Sequence, residues 1–171
     1  NQITTSEQLE AVIIQTRKQL QEQEENVGQS VRSIHHNQNQ VRVAATALAS
    51  SSDLLGPLGP AVSRIASDYK ASVPITVAAE ERIHNRSRIS TFLFGGDDDA
   101  VADLDQQHQQ HELRIQELKR LINAWEGDPV TKNLLREQVQ VMEREQLRLQ
   151  QVADEESASR GLFDYLLFWR D

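Results

Sequence analysis

Residues 104–135 read LDQQHQQHELRIQELKRLINAWEGDPVTKNLL. Within them Leu104, His108, His111, Ile115, Leu118, Ile122 and Trp125 alternate at spacings of four and three. That alternation places all seven on one face of a helix, as a and d positions of a heptad seam with two histidines in it. Gly127, Asp128 and Pro129 then form a tight turn, with Asp128 placed as the cap of a new helix and Pro129 as its first residue. The new helix is expected to run to about Ser157, with Leu135, Val139, Met142, Leu149 and Val152 as its apolar stripe. So short a connection makes the two helices antiparallel neighbours, an αα-hairpin.

Upstream, the same kind of pattern predicts two more helices. Gly95-Gly96 reads as a C-cap and turn, with Asp97 or Asp98 opening the helix that follows. A helix from Pro60 to about Phe94 carries Val62, Ile65, Tyr69, Val73 and Val77 on one face, and Pro74 should kink or split it. Its later half, from Glu80 to Arg88, is rich in charge and especially in Arg. The stretch 51–60 is punctuated by Gly56-Pro57 and Gly59-Pro60, which stop a helix. Before it, from Thr5 to Ser50 with Ser6 as N-cap, Ile13, Leu20, Val27, Ile34, Val41 and Leu48 recur every seven residues. A continuous helix there would be ~65 Å long, with Gly28 softening its middle. A single antiparallel partner would not cover that length, so part of its seam is expected to need another chain.

The last residues differ from the rest. Leu162, Phe163, Tyr165, Leu166, Leu167, Phe168 and Trp169 crowd into a tail that holds two of the four Phe and one of the two Trp. Eleven residues from Gly161 to Asp171 are too few to span a bilayer. Three readings stand for the tail: it docks on its own bundle as a short helix, it fills a groove on a neighbouring copy, or it lies at a membrane surface. The seven apolar residues are the candidate self-association site.

Composition narrows the function. Acidic residues outnumber basic ones 26 to 18, for a net charge of −8, which opposes binding to nucleic acid. Only 5% of residues are aromatic, which suits thin helix–helix seams better than a thick core. There is no Cys, hence no disulfide and no thiolate chemistry. His108 and His111 have metal-ligand spacing, but Asp105 and Glu112 project elsewhere on the helical wheel, so no metal is expected. On the a/d reading alone, Leu at both positions should preserve or raise stability. Asp97-Asp98-Asp99, with Asp103 and Asp105, lacks the pattern of an EF-hand loop and reads as helix capping. No nucleophile elbow, phosphate loop or other catalytic signature occurs, so neither an enzyme nor a cofactor is expected.

Several stretches carry a resemblance. Asn37-Gln38-Asn39-Gln40-Val41-Arg42-Val43-Ala44, Ala79-Glu80-Glu81-Arg82-Ile83-His84-Asn85-Arg86-Ser87, Phe92-Leu93-Phe94-Gly95-Gly96-Asp97, Arg114-Ile115-Gln116-Glu117-Leu118 and Gly161-Leu162-Phe163 are similar to segments of secreted helical proteins of methanogenic archaea, a group with no established function. The resemblance covers roughly residues 37–169. It implies an extracytoplasmic location, secreted or at the cell surface, and it carries no site residues with it.

The expected architecture is an all-α, elongated bundle of about four long coiled-coil-like helices plus a short apolar C-terminal helix. Residues 1–157 would form the bundle and 158–171 the tail. The expected function is that of a structural, self-associating homo-oligomeric subunit of a filament or surface assembly. The rival is a ligand-binding or sensor bundle in which polar residues of the first helix and the Arg-rich part of the second form an anion pocket.

Overall fold

The computed structural model describes residues 2–86 and 97–167, of which 159–167 in backbone only. Among these residues there is no strand. The helices are α1 (Ser6–Glu24), α2 (Arg32–Ser50), α3 (Gly59–Asn85), α4 (Asp98–Ala124) and α5 (Pro129–Leu167), and a 3-10 turn (Gly56–Leu58) leads into α3. α2 packs on α3, α3 on α4, α4 on α5 and α5 back on α2. These four close a ring, a four-helix bundle. α1 lies outside the ring, packed on α2 and touching α5.

The first helix is broken where continuity was expected. Residues 25–31 turn, and α1 folds back along α2 as a hairpin. Glu24 and Glu25 place negative charge at the carbonyl end of α1, which has no basic residue in its last turn. Gly28 then weakens continuation by about 1 kcal/mol relative to Ala. The turn is one heptad long, so the seven-residue recurrence survives on both sides of it. Folding back lets Leu9 and Ile13 join the core beside Leu48, Leu55 and Leu135. It also removes the long uncovered seam, and with it that argument for a second chain. The N-cap is Thr5 rather than Ser6, in a capping box with Gln8.

Two other boundaries differ. α3 runs unbroken through Pro74, whose exposed position leaves its ring on the solvent side. α5 does not stop near Ser157: its backbone continues past Gly161 to Leu167. Through Leu167 the tail is therefore a prolongation of α5 and not a separate helix folded back on the bundle. The side chains of Leu162, Phe163, Tyr165, Leu166 and Leu167, and all of Phe168 and Trp169, lie outside the described residues, as does the Gly95-Gly96 turn.

The hairpin of α4 and α5 closes as expected. The Asp128 carboxylate accepts hydrogen bonds from the Thr131 backbone N–H at 2.7 Å and its hydroxyl at 2.8 Å. Both bonds hold its carboxyl below the usual range. Lys132 Nζ donates to the Asn123 and Trp125 carbonyls at 2.8 and 2.5 Å, satisfying the open end of α4. At the other end of α4, Asp97 caps by accepting from the Ala100 N–H at 2.9 Å.

The core falls into two parts. The upper part draws on all five helices and centres on Tyr69, Leu118, Ile122, Leu135 and Met142. Small residues of α2, Ala44, Ala45 and Ala47, are fully buried and let that helix approach its neighbours closely. The lower part is built only from α3, α4 and α5: Ala79, Ala100, Val101, Leu104, Leu149 and Ala153. Where the two meet, the interior is polar.

Candidate functional site: a polar band and the groove beside it

Each ring helix sends polar side chains into the band. α3 contributes Ser72, Thr76 and Glu80, at steps of four that continue the face carrying Tyr69 and Val73. α2 contributes Gln38, α4 contributes Gln107 and His111, and α5 contributes Glu145 and Gln146, all buried. A buried polar group is costly unless it is paired, and most of these are.

One half of the band is ionic. Arg148 grips Glu80 with two parallel bonds, Nη1 to Oε1 at 2.5 Å and Nη2 to Oε2 at 2.6 Å. The same guanidinium reaches Glu145 through Nε at 2.8 Å and Nη2 at 2.7 Å. Gln38 Nε2 donates to Glu145 Oε1 at 2.7 Å, and the Thr76 hydroxyl reaches Gln38 Oε1 at 3.4 Å. Two carboxylates share one cation, so the cluster carries a net negative charge. Burial raises the pKa of Glu145 despite Arg148, and the charge of Glu80 adds to the rise. Burial opposes the charge of Arg148, but its bonds to Glu145 and Glu80 outweigh that and raise its pKa.

The other half is neutral. The His111 ring stacks on Tyr69 with centroids 3.9 Å apart and planes 17° from parallel. Its Nε2 is 2.6 Å from the Ser72 hydroxyl and its Nδ1 is 3.1 Å from Gln146 Oε1. Gln146 Oε1 can only accept, so Nδ1 carries the proton and Nε2 accepts, while the single Ser72 proton is shared between Nε2 and the Tyr69 carbonyl, each 2.6 Å away. Gln146 Nε2 turns to His108, donating to its carbonyl at 3.1 Å and meeting its Nδ1. Burial pushes the pKa of His111 down to about 4, with the nearby charges of Arg114 and His108 acting in the same direction. Burial also raises the pKa of Tyr69.

Ser72 and His111 thus have the spacing of a nucleophile and its base. Both are buried, the imidazole is covered by Tyr69, and neither lines a principal groove. The groove between α4 and α5 reaches His108 and Gln146 but stops short of Ser72. Buried as they are, these groups serve as internal hydrogen-bonding partners between α3, α4 and α5.

Of the residues singled out by sequence, His111 sits in the band and His108 at its half-exposed edge. Ser72, Thr76, Glu80, Gln38, Glu145 and Arg148 were missed. The one available signal was polar residues on the apolar face of α3, since Glu80 and Arg148 meet only through the fold. Of the Arg-rich stretch expected to form an anion pocket, Arg88 lies outside the described residues. Arg82 is drawn to Asp97 at 2.7 Å and faces Asp99 and Asp103 at 3.8 Å. Arg17, Gln21 and Glu24 of α1 face α2 and α5. There they line a groove of about 290 Å³ with Arg17, Leu20, Gln21 and Glu24 on one wall and His36, Asn39, Gln40 and Val43 on the other. Gln138 and Val141 of α5 close it. No helix among the described residues is long and apolar enough to cross a membrane, and no group of three or more His, Asp or Glu there is placed to hold a metal. Comparison with family models, with curated proteins and with solved structures gives no match.

Proposed function

We propose that this chain is a non-enzymatic, self-associating helical subunit that works outside the cytoplasmic membrane in a filament or surface assembly. One observation carries the reading. The Asp97 N–H donates to Glu156 Oε1 at 3.0 Å, which sets the start of α4 level with Glu156. α5 nevertheless continues to Leu167. About eleven residues, some 16 Å of helix, thus project past the cap of α4. Their sequence includes Leu162, Phe163, Tyr165, Leu166 and Leu167, apolar on nearly every side of a helix. In this reading the four ring helices are the body of the subunit and the apolar C-terminal stretch is its connector. The resemblance to secreted proteins of methanogenic archaea supports the extracytoplasmic part. The test is sedimentation of the full chain and of a form ending at Ser157, over a range of concentrations. Mass that rises with concentration only in the full chain supports the proposal. Equal masses overturn it, and vesicle binding lost on truncation would then assign the stretch to a membrane surface.

A second reading is a ligand-binding bundle. The groove between α1, α2 and α5 favours it, because polar side chains from three helices converge there on an apolar floor.

A further inference from the structure

We infer that the groove between α1, α2 and α5 binds a small zwitterion, with its carboxylate at Arg17, its amine at Glu24 and a methylene chain between them. The inference rests on the ligand-binding reading and names the class of ligand. The volume of about 290 Å³ lies at the low end for small-molecule sites, so the ligand is small.

The two walls come from the α1–α2 hairpin. Arg17, Leu20 and Glu24 share one face of α1, while His36 and Val43 share one face of α2, and the helices run antiparallel. Arg17 and Glu24 therefore stand at opposite ends of the groove, their backbones ~10 Å apart. Arg17 lines the groove from an exposed position, and no hydrogen bond or ion pair among the described residues involves it. A guanidinium with all its donors open presents a fork that matches a carboxylate. At the far end the Glu24 side chain is only 14% exposed. Its carboxylate is held 3.2 Å from His36 Nδ1 and 3.5 Å from Asn39 Nδ2. That fixes a negative charge where an amine would arrive. A smaller cavity of about 200 Å³ shares Gln21, Glu24 and His36 with this end and adds Glu25 and Arg32, whose opposite charges offset each other.

Between the charges Leu20, Val43 and Val141 form an apolar floor, flanked by the amides of Gln21, Asn39, Gln40 and Gln138. Such a floor suits methylene groups. The separation selects a ligand whose two charges sit several carbons apart, rather than an α-amino acid with both on one carbon. α1 is suited to admit it. Its buried residues, Leu9 and Ile13, lie in its first half, and the half above the groove has none.

The probes are 6-aminohexanoate, hexanoate, which lacks the amine, and hexylamine, which lacks the carboxylate. Each is titrated by calorimetry into the full chain, to about 10 mM. The expected result is that 6-aminohexanoate binds at least about tenfold more tightly than either analogue. Arg17→Gln should lower its affinity to that of hexylamine and leave hexylamine unaffected. Glu24→Gln should lower it to that of hexanoate and leave hexanoate unaffected. Both positions lie at the edge of the hairpin, and Val141→Phe, which fills the groove, should abolish binding with helical content retained. Analogues that bind as tightly as the zwitterion, and are lost with Val141→Phe, would overturn the zwitterion while leaving a ligand-binding bundle. No binding by any of the three would overturn both.

Discussion

His111 is where a single side chain makes the fold sensitive to acid. Its ordinary value is 6.5, and in the folded chain burial takes it to about 4. Above pH 6.5 both folded and unfolded chains hold it neutral, and it contributes no pH dependence. Between 6.5 and 4 only the unfolded chain takes up the proton. Stability therefore falls as pH falls, by about 1.4 kcal/mol per unit and about 3 kcal/mol in all. Replacing His111 by Leu removes that loss. It also strips Gln146 Oε1 of its buried donor, which costs about 1–2 kcal/mol at pH 7, while Ser72 keeps the Tyr69 carbonyl. The a/d pattern alone expected Leu to be harmless there; the bonds to α3 and α5 reverse that expectation. Urea unfolding at pH 7, 6 and 5 should show the wild type ahead at pH 7 and the two forms converging or crossing by pH 5. Parallel curves would mean that another group dominates the acid response. Gly59 offers a second test at this scale. A Cβ on it would lie 1.8 Å from the Ser52 carbonyl oxygen, where the start of α3 presses on the preceding turn. Gly59→Ala must push backbone apart and should cost about 1–3 kcal/mol in thermal unfolding.

Helices α3 and α5 are joined across the interior by a bond that local sequence could not reveal. The heptad spacing of Leu104 to Trp125, the Gly127-Asp128-Pro129 turn and the Asp97 cap were legible because each depends on residues within a few positions. The α1–α2 fold-back was not, because a turn one heptad long leaves a seven-residue period intact. The Glu80–Arg148–Glu145 cluster was illegible for a different reason. Each member, taken alone on its helix, looks like a solvated charge, and only the packing of α3 on α5 buries it. That difference can be measured. Arg148→Met leaves two carboxylates facing each other in the interior. Breaking a buried pair costs about 3–5 kcal/mol, and since Arg148 is 29% exposed the cost here should be nearer about 2–3 kcal/mol. Changing Glu80, Glu145 and Arg148 together to Leu or Met removes the charges with their partners and should restore most of the loss. Chemical denaturation of the single and triple variants distinguishes a register-setting cluster from a merely stabilising one. A triple variant as stable as the wild type but with broadened amide spectra would assign it to register.

At the scale of the molecule, the unequal reach of the helices decides what a lone subunit can keep ordered. The upper core draws on five helices and the lower core on three, and beyond Glu156 the backbone of α5 continues past the capped end of α4. About eleven residues that prolong an existing helix need no new nucleus, but propagation alone is close to neutral in water, so they fray unless packing holds them. Its order must then come from apolar burial, worth ~1.5–3 kcal/mol for each large side chain fully covered. If another copy supplies that cover, protection of the segment depends on concentration by mass action; if the chain covers itself, it does not. Amide hydrogen exchange separates the two. In a dilute sample, residues 131–153 of α5 should exchange slowly and residues 157–167 fast. Raising the concentration about a hundredfold should add up to about 2.7 kcal/mol of protection to residues 157–167 and leave 131–153 nearly unchanged. Leu166→Asp should abolish the gain while preserving the bundle. Protection of residues 157–167 that is high and constant at every concentration would show a stretch covered within one chain, and self-association through it would be excluded.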